Sequence, residues 1–163
     1  SSATITVANQ TYNGKERTPT VSVKLNGEKL SEGDDYEVEY RNNVKPGKAT
    51  AVITGVGAYS GTKKAFFVIK PKKMTWKSIT AKTKAASLSW KKDSYTSGYE
   101  LYRSGKKSSG YKRIGTLAKN KYTACTNHNL KTGTYYYKVR SYVLVDGTKY
   151  YGAFSNVKSV KIK

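Results

Sequence analysis

The chain has 163 residues, enough for one large domain or two small ones that each bury a core. Its 31 Lys and Arg residues against 10 Asp and Glu residues give a formal net charge of +21, which predicts attraction to polyanions or anionic surfaces. One cysteine and one histidine exclude an internal disulfide and a Cys/His zinc site.

The composition indicates an all-β chain with many turns. It contains 15 tyrosines, 14 glycines and only 3 prolines, and no long segment repeats its apolar residues at the helical period. No apolar run approaches the length of a membrane span, so no span is expected. The first residues lack the basic and apolar regions of a signal peptide. We therefore expect a mature or excised piece of a longer protein.

The first module is predicted to cover residues 1–70. Alternating apolar and polar residues predict strands at Thr4–Val7, Thr20–Leu25, Asp35–Tyr40, Ala49–Thr54 and Ala65–Ile69. Asn26-Gly27 predicts a hairpin turn, because both residue types tolerate positive φ. The glycine-rich segment Gly55–Gly61 is predicted to be a turn.

Several motifs of this module carry a resemblance. They are Thr11-Tyr-Asn-Gly-Lys15, Thr18-Pro-Thr-Val-Ser-Val23, Gly33-Asp-Asp-Tyr36, Tyr40-Arg-Asn-Asn43 and Ile53-Thr-Gly-Val-Gly-Ala-Tyr-Ser-Gly61, followed by Phe67-Val-Ile69. In this order they resemble the bacterial immunoglobulin-like repeat of Gram-positive surface proteins. The resemblance implies a structural or adhesive module without chemistry of its own.

Residues 71–74 are predicted to form a short, exposed linker, since proline and lysine separate two apolar-patterned segments there. The second module then covers residues 75–163. Its predicted strands are Ser78–Thr83, Ala86–Trp90, Tyr99–Arg103, Tyr111–Leu117, Tyr122–Thr126, Tyr135–Tyr142 and Phe154–Ile162. Seven short strands at this spacing are typical of a sandwich.

The second module closely resembles a bacterial fibronectin type III domain. The motifs are Ala86-Ser-Leu-Ser-Trp90, Gly98-Tyr-Glu-Leu-Tyr-Arg-Ser104, Tyr111-Lys-Arg-Ile-Gly115 and Leu130-Lys-Thr-Gly-Thr-Tyr-Tyr-Tyr-Lys-Val-Arg-Ser-Tyr142. The resemblance implies a core position for Trp90 and a corner position for Tyr135, with Tyr136 as the alternative. The predicted fold is thus all-β, with two tandem immunoglobulin-like and fibronectin type III-like β-sandwiches.

Catalysis and cofactor binding are not expected. His128 lies in a polar stretch before a turn and is interpreted as a solvated loop residue. Cys125 is interpreted as a small core thiol. The carboxylates of Glu32–Glu39 alternate along a strand and lack the spacing of a calcium loop. We therefore predict neither a metal site nor an enzyme.

The charge and the tyrosines concentrate in the second module. Residues 72–163 hold 21 Lys and Arg against 3 Asp and Glu, and 11 of the 15 tyrosines. If Tyr135, Tyr137 and Val139 face inward, the alternate residues form a basic, tyrosine-bearing outer face. The predicted ligand-binding residues are Tyr102, Tyr111, Arg113, Tyr136, Lys138, Arg140 and Tyr142, with Glu100 expected on the same surface.

Three functions follow as expectations. The first is a non-catalytic spacer or adhesion region of a bacterial protein that is secreted or associated with the cell wall. The second is recognition of an anionic cell-wall polymer, an acidic glycan or a host surface ligand by the basic module. The third is the accessory tail of an extracellular hydrolase. Any nucleic-acid binding is expected to be non-specific, and the chain is expected to be a monomer.

Overall fold

The computed structural model of the protein describes residues 3–163. These residues form two compact units, which meet in the sequence between Lys70 and Pro71. Regular secondary structure in the described residues consists of β-strands, and each unit is a β-sandwich. The predicted all-β fold with tandem sandwiches is confirmed.

The first sandwich packs a three-stranded sheet against a four-stranded sheet. Its strands are β1 (Ala3–Val7), β2 (Gln10–Thr11), β3 (Val21–Leu25), β4 (Glu28–Lys29), β5 (Tyr36–Arg41), β6 (Gly47–Gly55) and β7 (Thr62–Lys70). The sheet orders are β1-β3-β4 and β2-β7-β6-β5, and only β2 and β7 are parallel among these pairs. The core contains Val21, Val23, Tyr36, Ala51 and Ile53, with a second cluster around Phe67.

The alternation in the sequence sets which side chains reach this core. In β5, Tyr36 is buried and Val38 and Tyr40 pack against the core, while Glu37 and Glu39 are exposed. The predicted Asn26-Gly27 turn connects β3 and β4, with φ angles of 51° and 91°. The two-residue strands β2 and β4 were missed, because such short segments show no period.

The second sandwich has a three-stranded sheet and a five-stranded sheet. Its strands are β8 (Trp76–Lys82), β9 (Ala85–Trp90), β10 (Gly98–Ser104), β11 (Lys112–Leu117), β12 (Ala124–Asn127), β13 (Gly133–Val145), β14 (Thr148–Tyr151) and β15 (Lys158–Ile162). The first sheet has the order β12-β9-β8 and the second the order β11-β10-β13-β14. The long strand β13 also pairs with β15, at its other half.

The last part of the chain differs from the prediction. A strand over Phe154–Ile162 was expected, but β15 begins only at Lys158, and β14 was not predicted. Between these strands the hydroxyl of Ser155 accepts a hydrogen bond from the Val139 amide at 3.1 Å, in the place of a backbone carbonyl. Residues 152–157 thus connect β14 to β15 outside any strand, and the expected strand is shorter than predicted.

Trp90 occupies the core of the second sandwich as predicted, with 1% of its surface exposed. Its ring lies edge-on to Tyr99 at a centroid distance of 5.5 Å and to Trp76 at 6.1 Å. The two alternatives for the corner residue are also resolved. The hydroxyl of Tyr135 donates to the carbonyl of Lys131 at 3.1 Å, four residues upstream, which is the geometry of a tyrosine corner.

Residues 71–74 are not the exposed linker that was predicted. Met74 is buried in the core of the second sandwich, with 4% of its surface exposed. The carbonyl oxygens of Pro71 and Lys72 lie so close to Gly152 that a Cβ there would be 2.7 Å from each. An apolar side chain and close backbone contact therefore make this segment part of the second sandwich.

Candidate ligand-binding surface

The predicted ligand-binding residues lie around the outer face of the five-stranded sheet. Strand pairing places Tyr102 opposite Lys138 on one side and opposite Arg113 on the other. Glu100 pairs with Arg140 in the same ladder. Because these positions alternate with the core residues Leu101 and Val139, their side chains share the outer face.

Glu100 is the centre of this face, although its side chain is completely buried. Its carboxylate pairs with Arg140 Nη2 at 3.0 Å, Arg113 Nη1 at 3.1 Å and Lys149 Nζ at 3.1 Å. It also accepts hydrogen bonds from the hydroxyls of Tyr102 at 2.8 Å and Tyr151 at 3.0 Å. Five groups from four strands thus converge on one carboxylate, which we call the Glu100 knot.

These contacts determine the ionisation of the knot. Burial by itself raises the pKa of Glu100, but the hydrogen bonds from Arg140, Tyr102, Lys149 and Tyr151 outweigh burial and bring the pKa to about 2. Glu100 is therefore charged at neutral pH. Burial also raises the pKa of Tyr102 and of Tyr151, and the hydrogen bond that each hydroxyl donates to Glu100 adds to that shift.

Aromatic rings and cations alternate beside the knot. Lys138 Nζ lies 4.3 Å from the Tyr111 ring and 4.0 Å from the Phe154 ring. The Arg140 guanidinium lies 3.5 Å from the Tyr151 ring and 4.9 Å from the Phe154 ring. We call these five residues the ring–cation ladder. Its cations already have partners, so they are less available to a ligand than lysines in solvent.

Two residues expected on an accessible surface are buried instead. Glu100 was expected to face solvent, but the knot covers it completely. Tyr142 was predicted to bind ligand, but only 2% of its surface is exposed. Its hydroxyl lies over Gly98, where a Cβ would be 2.7 Å away, and Tyr151 and Lys149 pack against its ring. A ligand on this face therefore cannot reach Tyr142.

Three members of the site were not predicted from the sequence, namely Lys149, Tyr151 and Phe154. A signal for the first two was present, because Asp146-Gly147 between alternating segments favours a two-residue hairpin. Both turn residues have positive φ, 50° and 78°. Phe154 lies in the irregular segment between β14 and β15, where no periodic pattern indicates which way a side chain points.

Carboxylate side chains are scarce on the surface of the second sandwich. Residues 71–163 contain three carboxylate side chains, Asp93, Glu100 and Asp146, against 21 Lys and Arg residues. Asp93 and Glu100 are buried, with 3% and 0% of their surfaces exposed, whereas Asp146 is exposed. Nearly all side-chain charge on the surface of this sandwich is therefore positive at neutral pH.

The residues weighed for chemistry are not arranged as a catalytic site. Cys125 is half-buried against the core, and burial raises the pKa of its thiol, which disfavours the nucleophilic thiolate. His128 is exposed beyond the end of β12. Within residues 3–163 no three His, Cys, Asp or Glu side chains are grouped to hold a metal ion. Nor does that part of the chain contain a helix suited to crossing a membrane.

The first sandwich has an apolar groove of about 300 Å³ at one open side. It is lined by side chains of both sheets, including Ile5, Leu30, Tyr36 and Ile53. Asp35 at its rim accepts a hydrogen bond from the Ser31 amide at 2.7 Å and so stabilises the turn before β5. The groove therefore offers apolar surface and no cluster of catalytic groups.

Comparison with known proteins supports the fold. No protein-family model matches the sequence, and no curated protein matches it. Among solved structures, a segment of two fibronectin type III domains from chicken tenascin matches with a TM-score of 0.59 and 12% identity, covering 97% of this chain and 97% of that one. At this identity the match shows the fold alone.

Two other solved structures align less closely. The chicken CNTN1 FN1–FN3 domains match with a TM-score of 0.47 and 13% identity over 98% of this chain and 66% of that one. A β-1,2-glucanase from Parabacteroides distasonis matches with a TM-score of 0.48 and 16% identity over 70% of this chain. The chain spans only 17% of the glucanase.

Proposed function

We propose that this chain is a non-catalytic spacer and adhesion region of a bacterial secreted or cell-wall-associated protein, and that its second sandwich holds anionic polymers by charge. The observation that supports adhesion is the charge of that sandwich, which has 21 Lys and Arg residues against three carboxylate side chains, one of them exposed. A surface of one sign attracts polyanions and releases their counterions on contact.

The non-catalytic part of the proposal is supported by the site itself. The ionised residues of the outer face neutralise or stack on one another in the Glu100 knot and the ring–cation ladder. Burial raises the pKa of Cys125, the one thiol, and so disfavours its nucleophilic thiolate. Turnover of any substrate that is lost in His128→Ala would contradict this part.

The adhesive part predicts binding that depends steeply on salt. We expect the chain to be retained on heparin and on purified anionic cell-wall polymer at low ionic strength, and to elute as salt rises, because screening and the cost of recapturing counterions both weaken the contact. A neutral polysaccharide matrix is the control. Failure to bind either anionic matrix at low salt, or binding that salt does not change, would refute charge-driven adhesion.

Charge reversal at Lys138 and Arg140 is not a clean test of this proposal. Arg140→Glu would place a second carboxylate beside buried Glu100, and Lys138→Glu would remove the cation between Tyr111 and Phe154. Both changes damage the fold as well as the charge. Exposed lysines outside the knot and the ladder are better targets.

A further inference from the structure

One end of the second sandwich gathers four segments of the chain. Strand pairing joins Lys82 to Ala85 across the β8–β9 turn, and Ser104 at the end of β10 to Tyr136 near the start of β13. Gly133 pairs with Ile162 at the end of β15. The β8–β9 turn, the β10–β11 loop, the β12–β13 loop and the end of β15 therefore lie together.

A backbone hydrogen bond links two of these segments directly. The amide of Leu130, in the β12–β13 loop, donates to the carbonyl of Lys84 at 2.9 Å. These segments carry exposed lysines, and we define the lysine end by six of them. They are Lys82, Lys84, Lys106, Lys107, Lys131 and Lys161.

None of the three carboxylate side chains of the second sandwich lies at the lysine end. Asp93 follows Trp90, which pairs with Trp76 at the opposite end. Asp146 lies in the β13–β14 turn, also at that opposite end. Glu100 is in the middle of β10 and is enclosed by the knot. No carboxylate side chain of this sandwich therefore reduces the positive charge at the lysine end.

The cations of the lysine end differ from those of the outer face in their contacts with other side chains. Lys138 and Arg140 stack on rings, and Arg140 also pairs with Glu100. The lysines of this end are exposed, on turns and loops and at the ends of β8 and β15. A lysine ammonium acts as a point charge without a fixed geometry, so an array of lysines suits a flexible chain of anions rather than one planar group.

Two aromatic rings near this end are already engaged. Tyr135 donates its hydroxyl to the Lys131 carbonyl, and the Arg103 guanidinium lies 5.4 Å from its ring centre. Tyr111 donates its hydroxyl to the Lys107 carbonyl at 2.8 Å and carries Lys138 over its ring. Single-stranded nucleic acids bind strongly through bases stacked on free rings, and these two rings are already covered.

We propose that the lysine end binds a linear polymer of phosphate diesters that carries no aromatic bases. This inference rests on the proposed adhesion to anionic polymers and assigns it to one surface and one ligand class. Successive phosphates contact lysines from separate loops, and the knot and the ladder keep the adjoining sheet rigid without taking part in binding.

The test compares two triple variants of the full chain that have equal net charge. The first is Lys107→Gln, Lys131→Gln and Lys161→Gln at the lysine end. The control is Lys77→Gln, Lys91→Gln and Lys92→Gln, which are exposed lysines towards the opposite end. In the first triple, the hydrogen bonds described above at positions 107 and 131 use backbone carbonyls, so the substitutions leave them intact. Matching thermal melts would verify that both variants are folded.

The probes are poly(glycerol phosphate), single-stranded oligothymidine and heparin, each titrated over a salt series. We expect the lysine-end variant to bind poly(glycerol phosphate) about tenfold more weakly than the unmodified chain, with a shallower dependence on salt. The control variant should bind poly(glycerol phosphate) at most about threefold more weakly, because its substitutions act only through long-range charge.

Each other outcome is decisive. Equal losses in both variants would overturn the lysine end as the site, while leaving charge-driven adhesion in place. Tighter binding of oligothymidine or heparin than of poly(glycerol phosphate) would overturn the assigned ligand class. If the unmodified chain binds none of the three probes at low salt, the proposed adhesion fails together with this inference.

Discussion

At the scale of single residues, Glu100 shows how a polar side chain organises a sheet face. It sits on β10 between the core residues Tyr99 and Leu101, so its backbone position fixes it on the outer side. Three cations and two tyrosine hydroxyls then enclose it. Removing one member of such a network leaves the others desolvated without a partner, which costs more than the loss of an exposed ion pair.

The first prediction concerns this carboxylate. Glu100→Gln should lower the free energy of unfolding at pH 7 by about 2–3 kcal/mol, because Arg113, Arg140 and Lys149 lose their shared counter-charge. The pKa in the folded state, about 2, lies below the ordinary value of 4.5. The contribution of Glu100 is therefore complete above pH 4.5 and disappears as pH falls towards 2.

Urea unfolding of both proteins between pH 7 and pH 2 provides the measurement. The difference in stability between the native chain and Glu100→Gln should shrink as the pH falls through that window. Arg41→Gln is the control, since Arg41 pairs with exposed Glu39 and its loss should change stability little. A difference that stays constant down to pH 2 would show that the knot stabilises by packing rather than by charge.

At the scale of elements, the strand β13 joins the Glu100 knot to the lysine end. One half pairs with β14, which brings Lys149 and Tyr151 to Glu100. The other half pairs with β15 at the lysine end. The Asp146-Gly147 turn holds β14 in register, so the geometry of this turn bears directly on the knot.

The second prediction tests that turn. Gly147 has a φ of 78°, and nothing lies within 4 Å of a Cβ built on it, so Gly147→Ala costs backbone strain alone. We expect a loss of about 1 kcal/mol, measured by thermal or urea unfolding. Gly105→Ala is the matched control, because a Cβ there also meets nothing and its φ is not positive. If both variants melt alike, β14 is not held by this turn.

At the scale of the whole molecule, the boundary between the two sandwiches lies between Lys70 and Pro71. Residues 71–74 pack on the second sandwich through Met74 and through the backbone beside Gly152. The cores of the two units have no residue in common. Each sandwich therefore has a hydrophobic core of its own, as an independently folding domain requires.

The third prediction follows from this boundary. A fragment of residues 71–163 should fold alone, whereas a fragment of residues 75–163 should be less stable by about 2–4 kcal/mol, because it lacks the buried Met74 side chain. Urea denaturation followed by Trp fluorescence would compare the two. Met74→Ala in the 71–163 fragment is the control, because it removes the buried side chain without shortening the chain. It should lower the free energy of unfolding by a similar amount. Equal stability of both fragments would contradict the boundary found here.

The sequence by itself determined the fold class and most of the strands. Period-two alternation indicates which face of a strand is buried, and an Asn-Gly pair indicates where a hairpin turns. Both signals are local, because they depend only on residues that are adjacent in the sequence. Trp90 and Tyr135 were assigned correctly by resemblance, and the structure places one in the core and one at the corner.

Only the tertiary structure decided how exposed the site residues are and what neutralises them. Alternation places Glu100 and Tyr142 on the outer face, but their burial comes from side chains of other strands. Arg113, Arg140 and Lys149 enclose Glu100, and Tyr151 packs against Tyr142. The lysine end is likewise invisible to local patterns, because its charges come from four separate segments that strand pairing brings together. Burial and electrostatic potential depend on distance in space, and the order of residues along the chain does not specify those distances.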